Sequence, residues 1–227
     1  LYILNTAPPK NDTDPVIDNY GYLLENNSER IKWAGYLSTT SVYGDKKGEW
    51  VTEDTVLAPN LERSISRVDA ENSWIKFGET LSVKTTIYRL AGIYGPGRSL
   101  IDRLIGNEAI YIVDKPGHLF NRIHVEDIVG AVEMAMSSQS GSTIFNLSDD
   151  LPATQLDVAK FAANLLKKNC PETVTLKSDR VSEMARSFYK EEKKVSNKKL
   201  KNELGYHLVF PSFKEGLLAI HKNSKEF

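Results

Sequence analysis

The sequence predicts an α/β fold in which a doubly wound parallel sheet carries helices on both faces. Short β-rich runs alternate with amphipathic helical patterns through the first half of the chain. The segments between successive strand patterns are long enough to hold a helix, as parallel pairing requires. One strand pattern, Thr85–Leu90, leads into Gly92, Gly95 and Gly97 before a new helical pattern begins.

The composition excludes several classes of partner. The chain has 227 residues, a net charge of −1 and a pI near 6.5, so it lacks the broad basic field that nucleic acid or an anionic membrane surface attracts. No run approaches the roughly 20 apolar residues of a membrane-spanning helix, and the first residues lack a signal-peptide pattern. The single cysteine, Cys170, cannot form an internal disulfide. We therefore expect a soluble protein with no nucleic-acid or membrane partner, and favour a reducing compartment.

The first elements are two strands separated by a helix. Leu1–Leu4 is apolar and predicts a buried strand, ended by Pro8 and Pro9. Chain ends are commonly polar and frayed, so a buried strand at the first residue leads us to expect that preceding residues are missing. Asp14–Glu25 predicts a helix from its apolar spacing, and Trp33–Thr39 predicts the next strand.

The third strand leads into the glycine-rich stretch. A helix is predicted from Arg63 to about Gly78, and Lys84–Leu90 follows as a strand. Glycine lets a backbone approach a ligand closely, so the next three glycines could form a ligand loop. Their spacing, G-x-x-G-x-G, is the reverse of the dinucleotide fingerprint G-x-G-x-x-G. From the residues alone, a ligand loop and an ordinary Gly-Pro turn are equally good interpretations.

The second half of the chain continues with shorter elements. Strands are predicted at Ala109–Val113, Thr143–Leu147 and Val174–Leu176. Helices are predicted from Leu100, after Asp127, at Gln155–Lys168, near Leu200 and after Ser212, with capping boxes at Thr154/Asp157 and Ser212/Glu215. The lysine-rich run Arg186–Lys201 has few apolar residues, so we interpret it as a solvated loop and helix face rather than a nucleic-acid contact.

Three groups of polar residues are candidate functional sites, and each also has a plainer explanation. The hydroxyls of Ser38–Ser41 follow the carboxyl end of a strand, where doubly wound sheets bind ligands, but such residues also cap helices and fill turns. Glu126 and Asp127 could form an acid–base pair, although the first turn of a helix also favours negative charge. His124 could contact a ligand or be a satisfied core histidine.

Four ordered blocks together resemble the extended short-chain dehydrogenase/reductase superfamily, which includes the nucleotide-sugar epimerases and dehydratases. The blocks are Leu37–Gly44, Tyr88–Gly97, Arg122–Asp127 and Ile144–Pro152. The resemblance covers about Leu1–Leu218, is closest to an atypical subgroup, and implies a partial Rossmann-like domain that binds NAD or NADP over residues 1–98. It implies a small, mainly substrate-binding α/β portion over residues 99–227, from which some elements return to the sheet.

The chain departs from this family pattern in two ways. The family's glycine-rich dinucleotide unit is absent, so we expect this chain alone to bind NAD or NADP weakly. The family's tyrosine and lysine, four residues apart on the helix after the hydroxyl strand, fall on Arg63 and Arg67. Arginine stays protonated and cannot take the role of the tyrosine. Thr39 matches the family's Ser/Thr position, so it is the one remaining catalytic candidate, with His124 or water supplying the proton.

The resemblance also implies which residues contact the ligands, and it implies no metal site. The implied cofactor contacts are Thr6, Ala7, Pro8, Leu37, Ser38, Thr39, Arg67, Leu90, Gly92 and Ile93. The implied substrate contacts are Thr40, Tyr94, Gly95, Arg122 and His124. Gly92 replaces an asparagine that many members use on the substrate, and Phe120 replaces an arginine that some epimerases use on the diphosphate. The identity of the substrate is therefore left open.

Two classes of function are compatible with these observations. The first is an NAD(P)-dependent epimerase/dehydratase-like or oxidoreductase protein, catalytically degenerate, whose partner is a small molecule such as a nucleotide sugar. The second is a non-catalytic module that senses a dinucleotide or metabolite, or a truncated gene product of marginal stability. Hydride transfer would distinguish the first class from the second. A homodimer is expected only by analogy with the family.

Overall fold

The computed structural model describes residues 1–10, 13–106, 108–138 and 144–224. Its strands are β1 (Tyr2–Asn5), β2 (Trp33–Thr39), β3 (Trp50–Val51), β4 (Thr85–Leu90), β5 (Gly92–Tyr94), β6 (Tyr111–Val113), β7 (Arg122–His124), β8 (Ile144–Leu147), β9 (Glu172–Val174) and β10 (Lys194–Val195). Its helices are α1 (Pro15–Glu25), α2 (Glu62–Leu81), α3 (Leu100–Ile105), α4 (Val125–Ser137), α5 (Gln155–Leu166), α6 (Glu183–Phe188), α7 (Lys198–Asn202) and α8 (Phe213–Asn223). None of these helices combines the length and the apolar character that a membrane span requires.

Four parallel strands form the central sheet in the order β1-β2-β4-β8. The register places Tyr36 of β2 beside Asn5 of β1 on one side and Ile87 of β4 on the other. Because helices connect these strands, their carboxyl ends meet at one edge of the sheet. The predicted α/β class is confirmed, and the first three predicted strands lie side by side and parallel.

Apolar side chains cover both faces of the central sheet. Alternate residues of β4 point to opposite faces, so Ile87 packs with Tyr36 and Trp74 on one face while Tyr88 packs with Phe145 on the other. Helices α1 and α2 cover the first face, and α4 and α7 cover the second. All six residues of β4 are buried, as expected for a central parallel strand with helices on both sides.

The second half of the chain builds a smaller apolar cluster beside the sheet. Helices α3, α5 and α8 pack together around Ile101, Ala162 and Leu217. The parallel pairs β5-β7 and β6-β9 come from the same part of the chain, whereas β8 joins the central sheet next to β4. The second half therefore contributes both to the sheet and to a separate helical layer.

Most predicted elements are present with their bounds shifted by a few residues. Helix α2 extends to Leu81, and β9 lies slightly before the predicted strand at Val174–Leu176. Thr143, the predicted first residue of β8, lies outside the described residues. Helix α6 and the two-residue strands β3 and β10 were not predicted. A strand of two residues is too short to show an alternating pattern.

The glycine-rich stretch is a short strand followed by a turn, not one continuous loop. Gly92 begins β5, which pairs with β7, and Gly97 is the one residue of the three glycines with a positive φ, 73°. Ser99 then caps α3, accepting a hydrogen bond from the Asp102 backbone N–H. The turn interpretation therefore describes the end of the stretch, and strand pairing describes its beginning.

The lysine-rich run Arg186–Lys201 is less exposed than its composition predicts. The sequence predicts a solvated loop and helix face, but Lys193, Val195 and Leu200 are buried. Strand β10 within it pairs with β3, so the run is anchored to the segment after β2. Long-range pairing of this kind leaves no trace in local composition.

Candidate active site

A cavity of about 780 Å³ opens at the carboxyl ends of β1, β2 and β4, and we call it the strand-end cavity. Parallel sheets of this type hold their ligands at this edge. Its lining includes nine of the ten cofactor contacts expected from the sequence, namely Thr6, Pro8, Leu37, Ser38, Thr39, Arg67, Leu90, Gly92 and Ile93. It also includes Thr40, an expected substrate contact, and Arg63.

A second cavity of about 850 Å³ lies among β6, α3, α5, α6 and α8, and we call it the distal cavity. Tyr94 and Arg122, two of the expected substrate contacts, line it. Four residues line both cavities, namely Gly92, Arg98, Phe120 and Phe188. The two cavities therefore adjoin, and an extended ligand could occupy both.

The hydroxyl residues that follow β2 form a turn at the wall of the strand-end cavity. Thr39 Oγ1 accepts a hydrogen bond from the Ser41 backbone N–H at 3.2 Å. This bond uses a lone pair of the oxygen and not the hydroxyl proton. Ser38 Oγ donates to Glu71 Oε1 at 2.5 Å and is buried. Thr39 therefore caps the turn and still has a proton to donate, whereas the proton of Ser38 is committed.

Arg63 and Arg67 lie one turn apart on α2 and face the strand-end cavity. Arg67 Nη1 donates to Tyr36 Oη and to the Leu37 carbonyl, both at 2.9 Å. Arg63 Nη2 donates to Ser187 Oγ at 2.9 Å. A guanidinium group keeps its charge in proteins, so these residues make the cavity wall cationic without supplying an acid or a base.

Tyr36, the tyrosine bonded to Arg67, does not replace the missing tyrosine. Burial raises the pKa of Tyr36 to about 12, and the positive charge of Arg67 acts in the opposite direction. Its side chain is fully buried beside Trp74 in the core. Its hydroxyl therefore serves as a structural acceptor for Arg67.

A buried polar network stands behind the strand-end cavity. Arg89 Nη2 lies 2.8 Å from Glu71 Oε2, and Arg89 Nη1 donates to Tyr43 Oη at 3.1 Å. Tyr43 Oη in turn donates to Asn146 Oδ1 at 2.6 Å, and the Asn146 backbone N–H donates to Glu53 Oε1 at 2.7 Å. Burial raises the pKa of Tyr43 to about 12 and also raises that of Glu53. The network ties together the ends of β2, β4 and β8.

An ion pair from the segment before β10 completes the wall of the strand-end cavity. Lys193 Nζ lies 2.8 Å from Glu191 Oε2 and donates to the Gly44 carbonyl at 2.7 Å. The two side chains are only 9% and 8% exposed. Both residues belong to the lysine-rich run, whose composition gave no signal for a buried pair, so sequence reasoning missed them.

Arg122 and Asp149 are two buried charged residues; Arg122 lines the distal cavity, and its backbone carbonyl accepts a hydrogen bond from the Asp149 N–H. Arg122 Nη1 donates to the carbonyls of Phe120 and Ala153, both at 3.0 Å, while Nη2 has no partner among the described residues. Burial lowers the pKa of Arg122. Burial also raises the pKa of Asp149 to about 7, although a hydrogen bond from the Leu151 backbone and the charge of Arg122 act in the opposite direction.

Three expected contacts, Ala7, Gly95 and His124, are outside the described lining of both cavities. The Ala7 backbone N–H donates to the Asn5 side chain. His124 is 1% exposed, and its ring packs against Tyr94, which explains why burial lowers its pKa. The structure therefore places His124 in the core, behind Tyr94 and outside the described lining of both cavities.

Glu126 and Asp127 do not act together as an acid–base pair. Asp127 is fully buried and accepts hydrogen bonds from Tyr206 Oη and from the backbone N–H groups of Val209 and Phe210, at 2.7 to 3.1 Å. It therefore fixes the chain before α8. Glu126 is exposed in the first turn of α4, where negative charge is favourable.

No group of three or more His, Cys, Asp or Glu within the described ranges is placed to hold a metal ion.

The sequence model of the NAD dependent epimerase/dehydratase family matches residues 25–148, which is more than half of the chain. The chain belongs to this family. Protein YeeZ of Escherichia coli K12 is 33% identical over 122 residues, which cover 53% of this chain and 41% of YeeZ. The matched regions span only 38% and 41% of the lengths of the curated relatives.

Solved structures share the fold of this chain. A functionally unknown conserved protein from Silicibacter pomeroyi DSS is 38% identical with a TM-score of 0.91, covering 98% of this chain and 77% of that protein. The dTDP-glucose 4,6-dehydratase of Bacillus anthracis str. Ames, solved in complex with NAD, is 22% identical with a TM-score of 0.73. That match covers 99% of this chain and 72% of the dehydratase. The Rossmann-like fold that the motifs implied is thus confirmed.

Proposed function

We propose that this chain forms the substrate side of an NAD(P)-dependent enzyme that oxidises or reduces a hydroxyl-bearing carbon of a small molecule, with a nucleotide sugar as the candidate substrate. The observation that carries this proposal is the pair of adjoining cavities. The strand-end cavity lies at the edge where parallel sheets bind cofactors, and it opens beside a second cavity large enough for a nucleotide. The homodimer and the reducing compartment remain predictions.

The residues of the strand-end cavity fit the nicotinamide half of such a cofactor. Leu37 and Leu90 supply apolar surface, and Gly92 leaves the backbone accessible. Arg67 uses Nη1 for its two bonds within the protein, so the remaining N–H groups suit a ribose hydroxyl or a phosphate. The sequence contains no G-x-G-x-x-G cradle for the pyrophosphate, which supports weak binding.

The nicotinamide group, when bound, supplies hydride transfer. Thr39 donates a hydrogen bond to the oxygen of the reacting carbon and holds that oxygen in place. Arg67 contributes positive charge beside the same cavity. Neither residue removes a proton from the substrate, because a threonine hydroxyl is a poor base and a guanidinium group has no free lone pair.

The distal cavity suits the nucleotide part of the substrate. Tyr111, Phe120 and Tyr189 offer aromatic rings for a base to contact. Arg98 is exposed where the two cavities meet, and Arg103 also lines the distal cavity, so both can meet phosphate groups. The name of the Bacillus anthracis neighbour makes dTDP-glucose the first compound to test.

Cofactor binding is the direct test of this proposal. We expect NADH to bind this chain with a dissociation constant well above the micromolar range, on the order of 0.1 to 1 mM, measured by NADH fluorescence and by saturation-transfer NMR of NAD⁺. Arg67→Ala should weaken binding about tenfold, since it removes a charged hydrogen-bond donor. Arg30→Gln, a change at an exposed arginine in the turn Ser28–Arg30, should have no effect. A dissociation constant for NADH in the micromolar range would contradict the expected weak binding. The absence of any NADH binding would contradict the proposed NAD(P)-dependent function.

Turnover tests the role of Thr39. With NAD⁺ in excess and dTDP-glucose as the probe, Thr39→Val should lower the rate of nicotinamide reduction about 10- to 100-fold while leaving NADH binding within about twofold. Valine keeps the shape of threonine but removes the hydroxyl. An unchanged rate in Thr39→Val would remove Thr39 from the mechanism.

A further inference from the structure

The strand-end cavity requires a base that its arginines cannot provide. Apart from arginines, the ionisable side chains in its described lining are Glu191 and Lys193. Arg63 and Arg67 stay protonated, and His124 is not part of that lining. A proton leaving a substrate hydroxyl in this cavity therefore has Glu191 as its one carboxylate acceptor among the residues described.

Glu191 is held in a fixed position by Lys193. Lys193 Nζ contacts Glu191 Oε2 at 2.8 Å and is itself anchored to the Gly44 carbonyl at 2.7 Å. Gly44 ends the turn that begins after Thr39, so the ion pair is attached to the same turn that carries the hydroxyl candidate. With both side chains less than one-tenth exposed, the pair is screened from solvent.

The backbone around the pair is also fixed. Asn121 Nδ2 donates to the Lys193 carbonyl, and Asn121 Oδ1 accepts from the Val195 backbone N–H, both at 2.8 Å. The Glu192 backbone N–H donates to Asp45 Oδ1 at 2.8 Å. These bonds hold the segment against two different parts of the chain, so Glu191 has little freedom to leave the cavity wall.

The second oxygen of Glu191 lacks a partner. Oε1 is buried and receives no hydrogen bond from the described residues, although Oε2 is paired with Lys193. A buried acceptor left unpaired is unfavourable, so proteins rarely keep one without a reason. Because Glu191 lines the strand-end cavity, this unpaired oxygen is the atom of its carboxylate that keeps its lone pairs for a ligand hydroxyl.

We propose that Glu191 is the catalytic base of the strand-end cavity and that Lys193 is its positioning residue. The proton of a substrate hydroxyl moves to Glu191 Oε1 as the O–H bond breaks. The neighbouring C–H bond breaks with its electron pair passing as hydride to an oxidised nicotinamide dinucleotide, and a C=O bond forms. The substrate carbon is oxidised by two electrons and the dinucleotide is reduced by two, so the step balances.

This inference rests on the proposed function, and its test uses the full chain with NAD⁺ and dTDP-glucose. Glu191→Gln should lower kcat by about 10²- to 10⁴-fold, the usual contribution of a general base, with KM changed less than threefold. Formate added to Glu191→Ala should restore part of the rate, because a small carboxylate can enter the space left by the side chain. Glu192→Gln is the matched control, since its carboxylate faces His118, and it should keep the rate within about twofold.

A readout that does not depend on turnover separates catalysis from folding. Glu191→Gln should bind NAD⁺ in saturation-transfer NMR within about twofold of the wild type. Because this change leaves the buried charge of Lys193 without its partner, the double variant Glu191→Gln/Lys193→Gln, which removes both charges, is measured beside it. Lys193→Met should lower kcat by less than Glu191→Gln does, and Lys193→Arg should recover most of that loss.

The possible outcomes are distinct. Turnover by Glu191→Gln within threefold of the wild type would overturn the assignment, and so would a parallel loss of NAD⁺ binding and turnover in both the single and the double variant. If the wild-type chain binds NAD⁺ but reduces none of it with dTDP-glucose, the assignment of Glu191 as the base is wrong, while the prediction of cofactor binding stands. A wild type that binds no NAD⁺ would overturn the proposed function and this step with it.

Discussion

Arg63 Nη2 donates a hydrogen bond to Ser187 Oγ at 2.9 Å, across 124 residues of the chain. The same guanidinium lies 4.9 Å from the centre of the Phe188 ring. Phe188 lines both cavities. Arg63, which the family resemblance predicts to stand at the position of the catalytic tyrosine, therefore connects α2 to the end of α6.

The first prediction concerns this connection. Arg63→Gln should lower the hydrogen-exchange protection of Glu183–Phe188 about fivefold, because it removes one hydrogen bond and one cation–π contact worth together about 1 kcal/mol at an exposed site. Ser187→Ala should have a smaller effect, since it removes the hydrogen bond only. Arg103→Gln, at an exposed ion pair with Glu108, is the control. Unchanged exchange of α6 in Arg63→Gln would show that the contact does not hold the helix.

The second prediction concerns the ion pair behind the cavity. Arg89→Met should destabilise the protein by about 3 to 5 kcal/mol in urea unfolding, because it leaves the Glu71 carboxylate buried without its cation. The double variant Arg89→Met/Glu71→Leu should be less destabilised than Arg89→Met alone, since neither charge then remains. Arg180→Gln, which breaks an exposed pair with Glu172, should cost less than about 1 kcal/mol. Equal losses for Arg89→Met and Arg180→Gln would contradict the argument.

The sequence was sufficient for the parts of the fold that have a local pattern. Strands β2 and β4 are apolar runs ended by turn residues, and the helix signals at Thr154 and Ser212 are capping motifs, so each can be recognised from a few neighbouring residues. The two-residue strands β3 and β10 were not predictable, because their pairing depends on residues far apart in the chain.

Some residues of the candidate site could be predicted from the sequence, and others could be found only in the folded structure. Thr39 and Arg67 were named because they follow a strand or occupy a family motif, and both line the strand-end cavity. Glu191 and Lys193 lie in a run whose composition is typical of solvent-exposed chain. Lys193 meets Gly44 across 149 residues, and only the folded chain brings them together. Burial of a charged pair is a tertiary property and has no signature in local sequence.

The third prediction compares two glycines with positive φ. Gly44 has φ 68°, and a Cβ there would lie 1.9 Å from the carbonyl oxygen of Ala58, so the backbone would have to move. Gly44→Ala should destabilise the protein by more than about 3 kcal/mol and disturb the Lys193 contact. Gly97 has φ 73°, and a Cβ there would meet no atom within 4 Å, so Gly97→Ala should cost only the backbone strain of about 1 to 2 kcal/mol. Urea unfolding measures both, and a larger loss at Gly97 would contradict the prediction.

The last prediction concerns the buried carboxyl of Asp149. Burial raises its pKa to about 7 in the folded chain, above the ordinary value of 3.8. Between those two values the folded state holds the proton more tightly than the unfolded state. The contribution of Asp149 to stability therefore falls as the pH rises from about 4 to about 7 and is constant above that.

The substitution Asp149→Asn removes this pH-dependent contribution. Relative to the wild type, Asp149→Asn should therefore gain stability with rising pH through that window, by at most about 4 kcal/mol. Urea unfolding from pH 4 to pH 8 measures the difference, with the exposed Asp69→Asn as the control. If the stability difference between Asp149→Asn and the wild type is the same at every pH, the carboxyl of Asp149 is not held protonated by the fold, and its burial beside Arg122 has no effect on its titration.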